Sequence, residues 1–275
     1  MVAQQHRRRG GTMAVAATVM GVMAATGCSG GGAVADEGDG GGTVDEVVRA
    51  ADALERARSS RARTAMEMAT GGTRVTIRGD GGYDFARRTG RLTVVLPPDP
   101  AGADEHEPIT ELLTPGALYM KNRGAGVPAD KWVRVDTAAL DDGNLVTGGA
   151  TDPLAAAELL RGAEQVTFVG ETEVEGERVR HFRGTTDIGR AARAARPHAR
   201  AALAAAAKGF ADRAVPFDVY LDDAGLLRKV RHRFTFANEG RAVAVTSTTV
   251  LFDFGEPVEV RLPAREDIYT GKVEV

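Results

Sequence analysis

Cysteine is nearly absent: Cys28 is the only one in 275 residues. An intrachain disulfide is therefore excluded, and a structural metal site built on thiolates goes with it. Serine is almost as scarce. Ser29, Ser59, Ser60 and Ser247 are all there are, and none stands in a G-x-S-x-G elbow or beside a His and Asp arranged as a triad. His106-Glu107 lacks the second histidine of a zinc-protease helix, and the spacing of His181, His198 and His232 suggests no metal cluster. Asp36, Glu37 and Asp39 lack the spacing of a calcium loop, and the glycine clusters lack the Lys and Ser/Thr of a phosphate loop. Positive charge is not in excess either. The chain has 35 basic and 38 acidic residues, a formal net charge of -3, which argues against a nucleic-acid partner. Aromatic residues make up only 5%, and there is neither a repeat of 20–50 residues nor a second long apolar run. These absences point to a non-catalytic chain without a metal or cofactor.

The beginning of the chain is distinctive. His6, Arg7, Arg8 and Arg9 form a basic cluster, and Thr12 to Thr26 is uncharged and mostly Ala, Val and Met. That run is too short to span a ~30 Å hydrocarbon core comfortably, and its layout is that of an export signal. Small residues lead to the thiol in Ala25-Thr26-Gly27-Cys28, which resembles a bacterial lipobox with Ala25 where Leu is usual. Residues 1–27 are thus expected to be a signal peptide removed by the lipoprotein-processing enzymes. Cys28 would then carry a diacylglyceryl group, and two acyl chains suffice for stable membrane attachment. The alternative is an ordinary secreted protein with a lone thiol near its cut site. The glycine-rich stretch through residue 42 reads as a flexible tether, and residues 43–275 as one domain.

Within that domain, Thr43 and Glu46 form a capping box opening an amphipathic helix to about Ser59. Period-2 alternation then predicts strands around 61–69, 75–78, 83–86 and 91–96, with Gly79, Gly81, Gly82 and Gly90 at turns. A Pro- and acid-rich loop covers 97–108, and strands follow at 117–121, 131–136, 165–173 and 178–186. Asp152-Pro153 starts a short helix, and Asp187 caps a longer one to Phe210 that Pro197 kinks or divides. Strands at 215–222, 227–237 and 241–254 finish the chain, the middle one pointing Val230, His232, Phe234 and Phe236 one way and Lys229, Arg231 and Arg233 the other. Ten or eleven antiparallel strands with three helical segments give an α+β pattern. A sheet that wide must curl.

Two charged groups stand out. Asp222-Asp223 invites acid–base chemistry, but a turn position explains it more simply. Arg190, Arg193, Arg196 and Arg200 line one side of the long helix, placed to contact anionic lipid headgroups; an ordinary solvated face is the alternative.

Four segments carry a resemblance: "LYMKNRGAGVPADKWVRVD" (118–136), "DPLAAAELLRGAEQVTFVGETEVEGERVRHFRGTTD" (152–187), "VPFDVYLDDAGLLRKV" (215–230) and "FDFGEPVEVRLP" (252–263). In this order, after a lipobox, they resemble the LppX/LprG family of actinobacterial lipoproteins, which share a fold with the periplasmic carrier LolA. The resemblance implies a strongly curved antiparallel half-barrel with helices on its concave side and an apolar cavity between them. Val94, Leu203, Phe210, Val230, Phe234 and Phe236 are assigned to that cavity, and Cys28 to lipidation. It further implies an anchored protein on the extracytoplasmic face of the cell membrane that binds a lipid or glycolipid as carrier or chaperone. The other reading is a regulatory module of the same fold facing an envelope protein. The Ala-rich, Pro-interrupted helix at 188–210 departs from the family's well-studied members.

Overall fold

The computed structural model describes residues 40–70, 72–97, 107–124, 126–238 and 241–271. Residues 1–27, Cys28 and His106 lie outside them. The described residues begin with helix α1 (Gly40–Arg56), followed by six strands: β1 (Ser59–Thr70), β2 (Thr73–Asp84), β3 (Thr89–Val95), β4 (Ile109–Thr114), β5 (Ala117–Lys121) and β6 (Trp132–Asp136). Helix α2 (Pro153–Leu159) leads into β7 (Ala163–Val174) and β8 (Glu177–Asp187). Helices α3 (Ile188–Ala194) and α4 (Pro197–Gly209) precede β9 (Ala214–Leu221), β10 (Leu227–Asn238) and β11 (Arg241–Phe252).

All eleven strands form one open antiparallel sheet in the order β6-β5-β4-β3-β2-β1-β11-β10-β9-β8-β7. It consists of two meanders, β1–β6 and β7–β11, joined where the first and last strands pair from Arg61–Phe252 to Ala69–Ala244. The β6 edge is partly covered, because Trp132 bridges Ile268 and accepts the Tyr269 N–H at 2.8 Å. The sheet is bent. Arg63 on β1 pairs with Glu175 at the β7–β8 turn at 2.5 Å, although β8 lies four strands away. A flat sheet would separate those strands by about 19 Å.

Local sequence explains most element ends. The Asp152 carboxylate accepts the Leu154 and Ala155 N–H groups and caps α2, with Pro153 in the first turn. Asp187 likewise accepts the Arg190 N–H and caps α3. Pro197 divides the long helix: Ala195 and Arg196 are extended (ψ 148° and 157°), as the residue before a proline prefers, and α4 starts afresh.

Three expectations change. Thr43 lies inside the first turns of α1, which starts at Gly40. The segments 75–78 and 83–86 belong to one strand, so Gly79, Gly81 and Gly82 lie within β2 and not at turns. They are there for closeness: a Cβ on Gly79 would sit 2.5 Å from Thr64 Oγ1, and one on Gly81 would fall onto the Arg91 carbonyl. Gly90 lies within β3, and the β2–β3 connection runs through Arg88 at φ 56°. Finally, β4 was not anticipated, and it brings a buried carboxyl group with it.

Candidate functional site between the sheet and the helices

Alternation sorts the strands into two faces. One inward row runs Ile109–Val94–Gly79–Thr64 over the first meander and continues Thr249–Val230–Val219–Phe182 over the second. The helices lie on this side. Leu54 of α1, Leu154 and Leu159 of α2, Ile188 of α3 and Leu203 and Ala206 of α4 are all at most 2% exposed and share one continuous core with the strands.

The residues assigned to the cavity lie in that core. Val94, Leu203, Phe210, Val230 and Phe234 are all buried, and the Phe210 and Phe234 rings are 5.0 Å apart. The Phe236 side chain falls outside the described ones. The helices thus occupy the space beside the sheet. A cavity of about 40 Å³ remains between α2, α4 and the strand ends, lined by Tyr83, Arg88, Leu113, Asn144, Asp152 and His198 among others. That is room for about one water molecule and far below the ~300 Å³ of a small ligand pocket. Helix α4 sits close to the loop before α2. Gly143 meets the Ala202 carbonyl and Gly209 the Asp141 carbonyl so tightly that neither position has space for a Cβ.

Two titratable groups are sealed in this core. Glu111 on β4 lies in the inward row Val133–Met120–Glu111–Leu92 and is 0% exposed, with no hydrogen-bond partner on either carboxyl oxygen. Burial raises its pKa from 4.5 to about 8, and the Arg123 charge opposes this only in part. His232 on β10 packs between the Phe217 and Phe234 rings, its Nε2 has no partner, and burial lowers its pKa from 6.5 to about 3. It stands opposite Ser247 in the β10–β11 ladder. That hydroxyl is 2.6 Å from Thr151 Oγ1, however, and His232 and Ser247 are only 1% and 3% exposed, so no substrate reaches them.

Where α1, α2 and α4 meet, Glu55, Glu158 and His198 each bring one ligand atom within 4.8 Å of the others. Their surroundings are already charge-balanced. Arg161 Nε bonds Glu158 Oε1 at 2.9 Å, the Arg196 N–H bonds Glu158 Oε2 at 2.8 Å, and Arg196 Nη1 pairs with Glu55 Oε2 at 3.0 Å. Arg88 adds a further positive charge near His198, whose pKa is lowered first by burial. Three guanidinium groups make the junction unfavourable for a divalent cation. It reads as a polar lock between helices.

The helical arginines are distributed unequally. Arg190 pairs with Glu164 at 3.0 Å, Arg196 with Asp52 and Glu55, and Arg200 donates to the Ala195 carbonyl; Arg193 is exposed. Asp222 organises its turn by accepting the Ala224 and Leu226 N–H groups and Arg228 Nε, and Asp223 pairs with Arg178 at 2.9 Å. Both aspartates have structural employment.

The outward face differs in chemistry. Asp218 on β9 accepts from His181 Nε2 at 2.8 Å, Arg183 Nε at 3.0 Å and Arg233 Nη2 at 2.6 Å. Burial alone would raise its pKa, but these hydrogen bonds outweigh that and hold it below the usual carboxylate value. Two shallow grooves lie on this face. One of about 370 Å³ is bordered by Arg63, Arg78, Val95 and Val250, and one of about 420 Å³ by Thr167, Val169, Arg183 and Arg233.

No family model matches the chain, and no curated protein matches it. Among solved structures it is similar to the lipoprotein LppX of Mycobacterium tuberculosis, with 12% identity and a TM-score of 0.47 over 80% of this chain and 98% of that one. It is also similar to LprF of Mycobacterium bovis, with 13% identity and a TM-score of 0.40 over 81% of this chain and 97% of the other. A LolA superfamily protein of Nitrosomonas europaea matches at 9% identity and a TM-score of 0.34, over 78% and 94% of the two chains.

Proposed function

We propose that this chain is a lipoprotein anchored through a diacylglyceryl group on Cys28 to the extracytoplasmic face of the cell membrane. Its folded body takes an apolar lipid or glycolipid between the sheet and α3–α4, as carrier or chaperone and without catalysis. One observation carries this reading: an inward row of side chains, apolar but for its two threonines, spans eight strands and is covered at α4 by few large side chains. Of that helix, Ala199, Leu203 and Ala206 are the buried residues, with Phe210 at its end. Exposing Leu203 and Phe210 costs about 1.5–3 kcal/mol each, whereas hiding a sixteen-carbon chain returns on the order of 12 kcal/mol at ~0.8 kcal/mol per CH₂. A lipid can therefore displace α4, with the extended Ala195–Arg196 joint as hinge.

The close packing of Phe210 on Phe234 favours a second reading, in which the interior stays closed and the protein serves as an interaction module in the envelope. Native mass spectrometry of the protein purified from its host separates the two. The carrier reading expects a retained lipid mass, and a bare polypeptide supports the closed module. For the anchor, Cys28→Ala is expected to move the protein from the membrane fraction to the soluble fraction with its fold unchanged. Retention in the membrane at the wild-type level would refute attachment through Cys28.

A further inference from the structure

We infer that the outward face of the sheet is a docking surface for an anionic phospholipid bilayer. The inference adds to the lipid-carrier reading without requiring it, because it concerns the opposite face of the sheet. A single lateral row crosses eight strands there: Thr167–Arg183–Asp218–Arg231 on β7 to β10, then Thr248–Ala65–Arg78–Val95 on β11 to β3. Followed along the bent sheet at ordinary strand spacing it runs for about 35 Å, longer than a small ligand. Lys229 and Arg233 flank Arg231 on the same side of β10, and Arg63, which is paired with Glu175, lies on the same side of β1 as Ala65.

The acidic side chains facing the same way are already engaged. Asp218 is bound by His181, Arg183 and Arg233, Asp80 by Arg61 at 3.1 Å, and Glu67 by Arg74 at 3.7 Å. The cations are not used up. Arg78 is exposed and Arg231 is half-buried with its Nε enclosed, and neither has an ion pair among the described residues. Arg183 and Arg233 each use one nitrogen on Asp218, leaving the rest of both guanidinium groups at the edge of the second groove. The chain as a whole carries a net charge of -3, so this basic face is a local sorting of charge and not a general excess.

Each groove also combines arginine with an exposed apolar side chain, Val95 at 50% and Val169 at 49%. Guanidinium groups bind phosphate oxygens through paired N–H donors, and the adjoining valines suit the less polar level just beneath the headgroups. Phosphate chemistry and breadth together favour a bilayer over an acidic protein. On the helix side, Arg190 and Arg196 are paired with acidic side chains.

The test uses the full-length Cys28→Ala chain, so that no acyl anchor contributes, in sedimentation with vesicles of phosphatidylglycerol and phosphatidylcholine. Arg78→Glu/Arg231→Glu is expected to lower partitioning onto anionic vesicles by about a thousandfold at low salt, from about 1 kcal/mol for each of the four units of charge changed near the surface. The matched reversal Arg193→Glu/Arg200→Glu on the helix side is expected to change it less than threefold. Both variants must unfold at the parent's temperature; if the first does not, Arg78→Ser/Arg231→Ser takes its place, with an expected loss of tenfold or more. Unchanged partitioning of the sheet variant would overturn the inference. So would an equal loss in both variants, or binding to polyglutamate with none to the vesicles.

Discussion

Replacing Glu111 with glutamine is expected to remove this carboxyl group's own destabilising contribution, which grows to about 5 kcal/mol between pH 4.5 and 8. The folded-state pKa of this carboxyl group is raised from 4.5 to about 8 by burial. Its contribution to stability is therefore fully present below pH 4.5 and is lost as pH rises through 8, at about 1.4 kcal/mol per pH unit. Glutamine has the same shape and stays neutral. Below pH 4.5 the two proteins should unfold at the same urea concentration, and above pH 8 the variant should be the more stable. Parallel profiles across the whole range would mean that Glu111 has found water or a partner, and that β4 does not bury it.

His232 should act in the opposite direction. Its folded-state pKa is lowered from 6.5 to about 3, so its contribution is fully present above pH 6.5 and is lost as pH falls towards 3. His232→Leu, which fills similar space between Phe217 and Phe234, is expected to remove about 5 kcal/mol of acid destabilisation, although leucine forfeits the ring contacts. Between pH 4.5 and 6.5 the two slopes are equal and opposite, so the parent should show a stability plateau there, falling away on both sides. Urea unfolding at closely spaced pH values measures both limbs at once. An acid limb unchanged in His232→Leu would place the imidazole in contact with solvent.

The same two residues show what could be read from the sequence. His232 was legible because β10 alternates cleanly, with charged residues at 229, 231 and 233 and apolar ones at 230 and 234, and burial follows that pattern. The division at Pro197 and the aspartate caps were legible too, since each depends on neighbours within a few residues. Glu111 was not. In Ile109–Thr114 the outward Leu112 is itself only 1% exposed and the inward Glu111 is an ionisable residue, so the hydropathy pattern of β4 runs against its placement. The β2 glycines misled for a related reason. Their role is close approach between neighbouring strands, which sequence spacing renders as turns.

Long-range pairing was also hidden. Arg196 looked free beside Arg193, and only the packed helices bring it to Asp52, 144 residues earlier in the chain. The basic outward face depends in the same way on strand order. Lys229, Arg231 and Arg233 are adjacent in the sequence, but Arg183 joins them because β9 lies between β8 and β10 and carries Asp218. The bent, open antiparallel sheet with helices on one face was anticipated. The tightness of its interior was not, because volume depends on how far the sheet bends around α2 and α4.

Whether lipid enters the space beneath α4 can be measured by loading the Cys28→Ala chain with a photoactivatable fatty acid, irradiating it and mapping the adducts by mass spectrometry. Adducts at inward side chains such as Val230 and Leu203 are the predicted result. Adducts confined to the outward groove around Ala65 and Val250, or a protein that acquires none, would contradict a lipid site between the sheet and the helices.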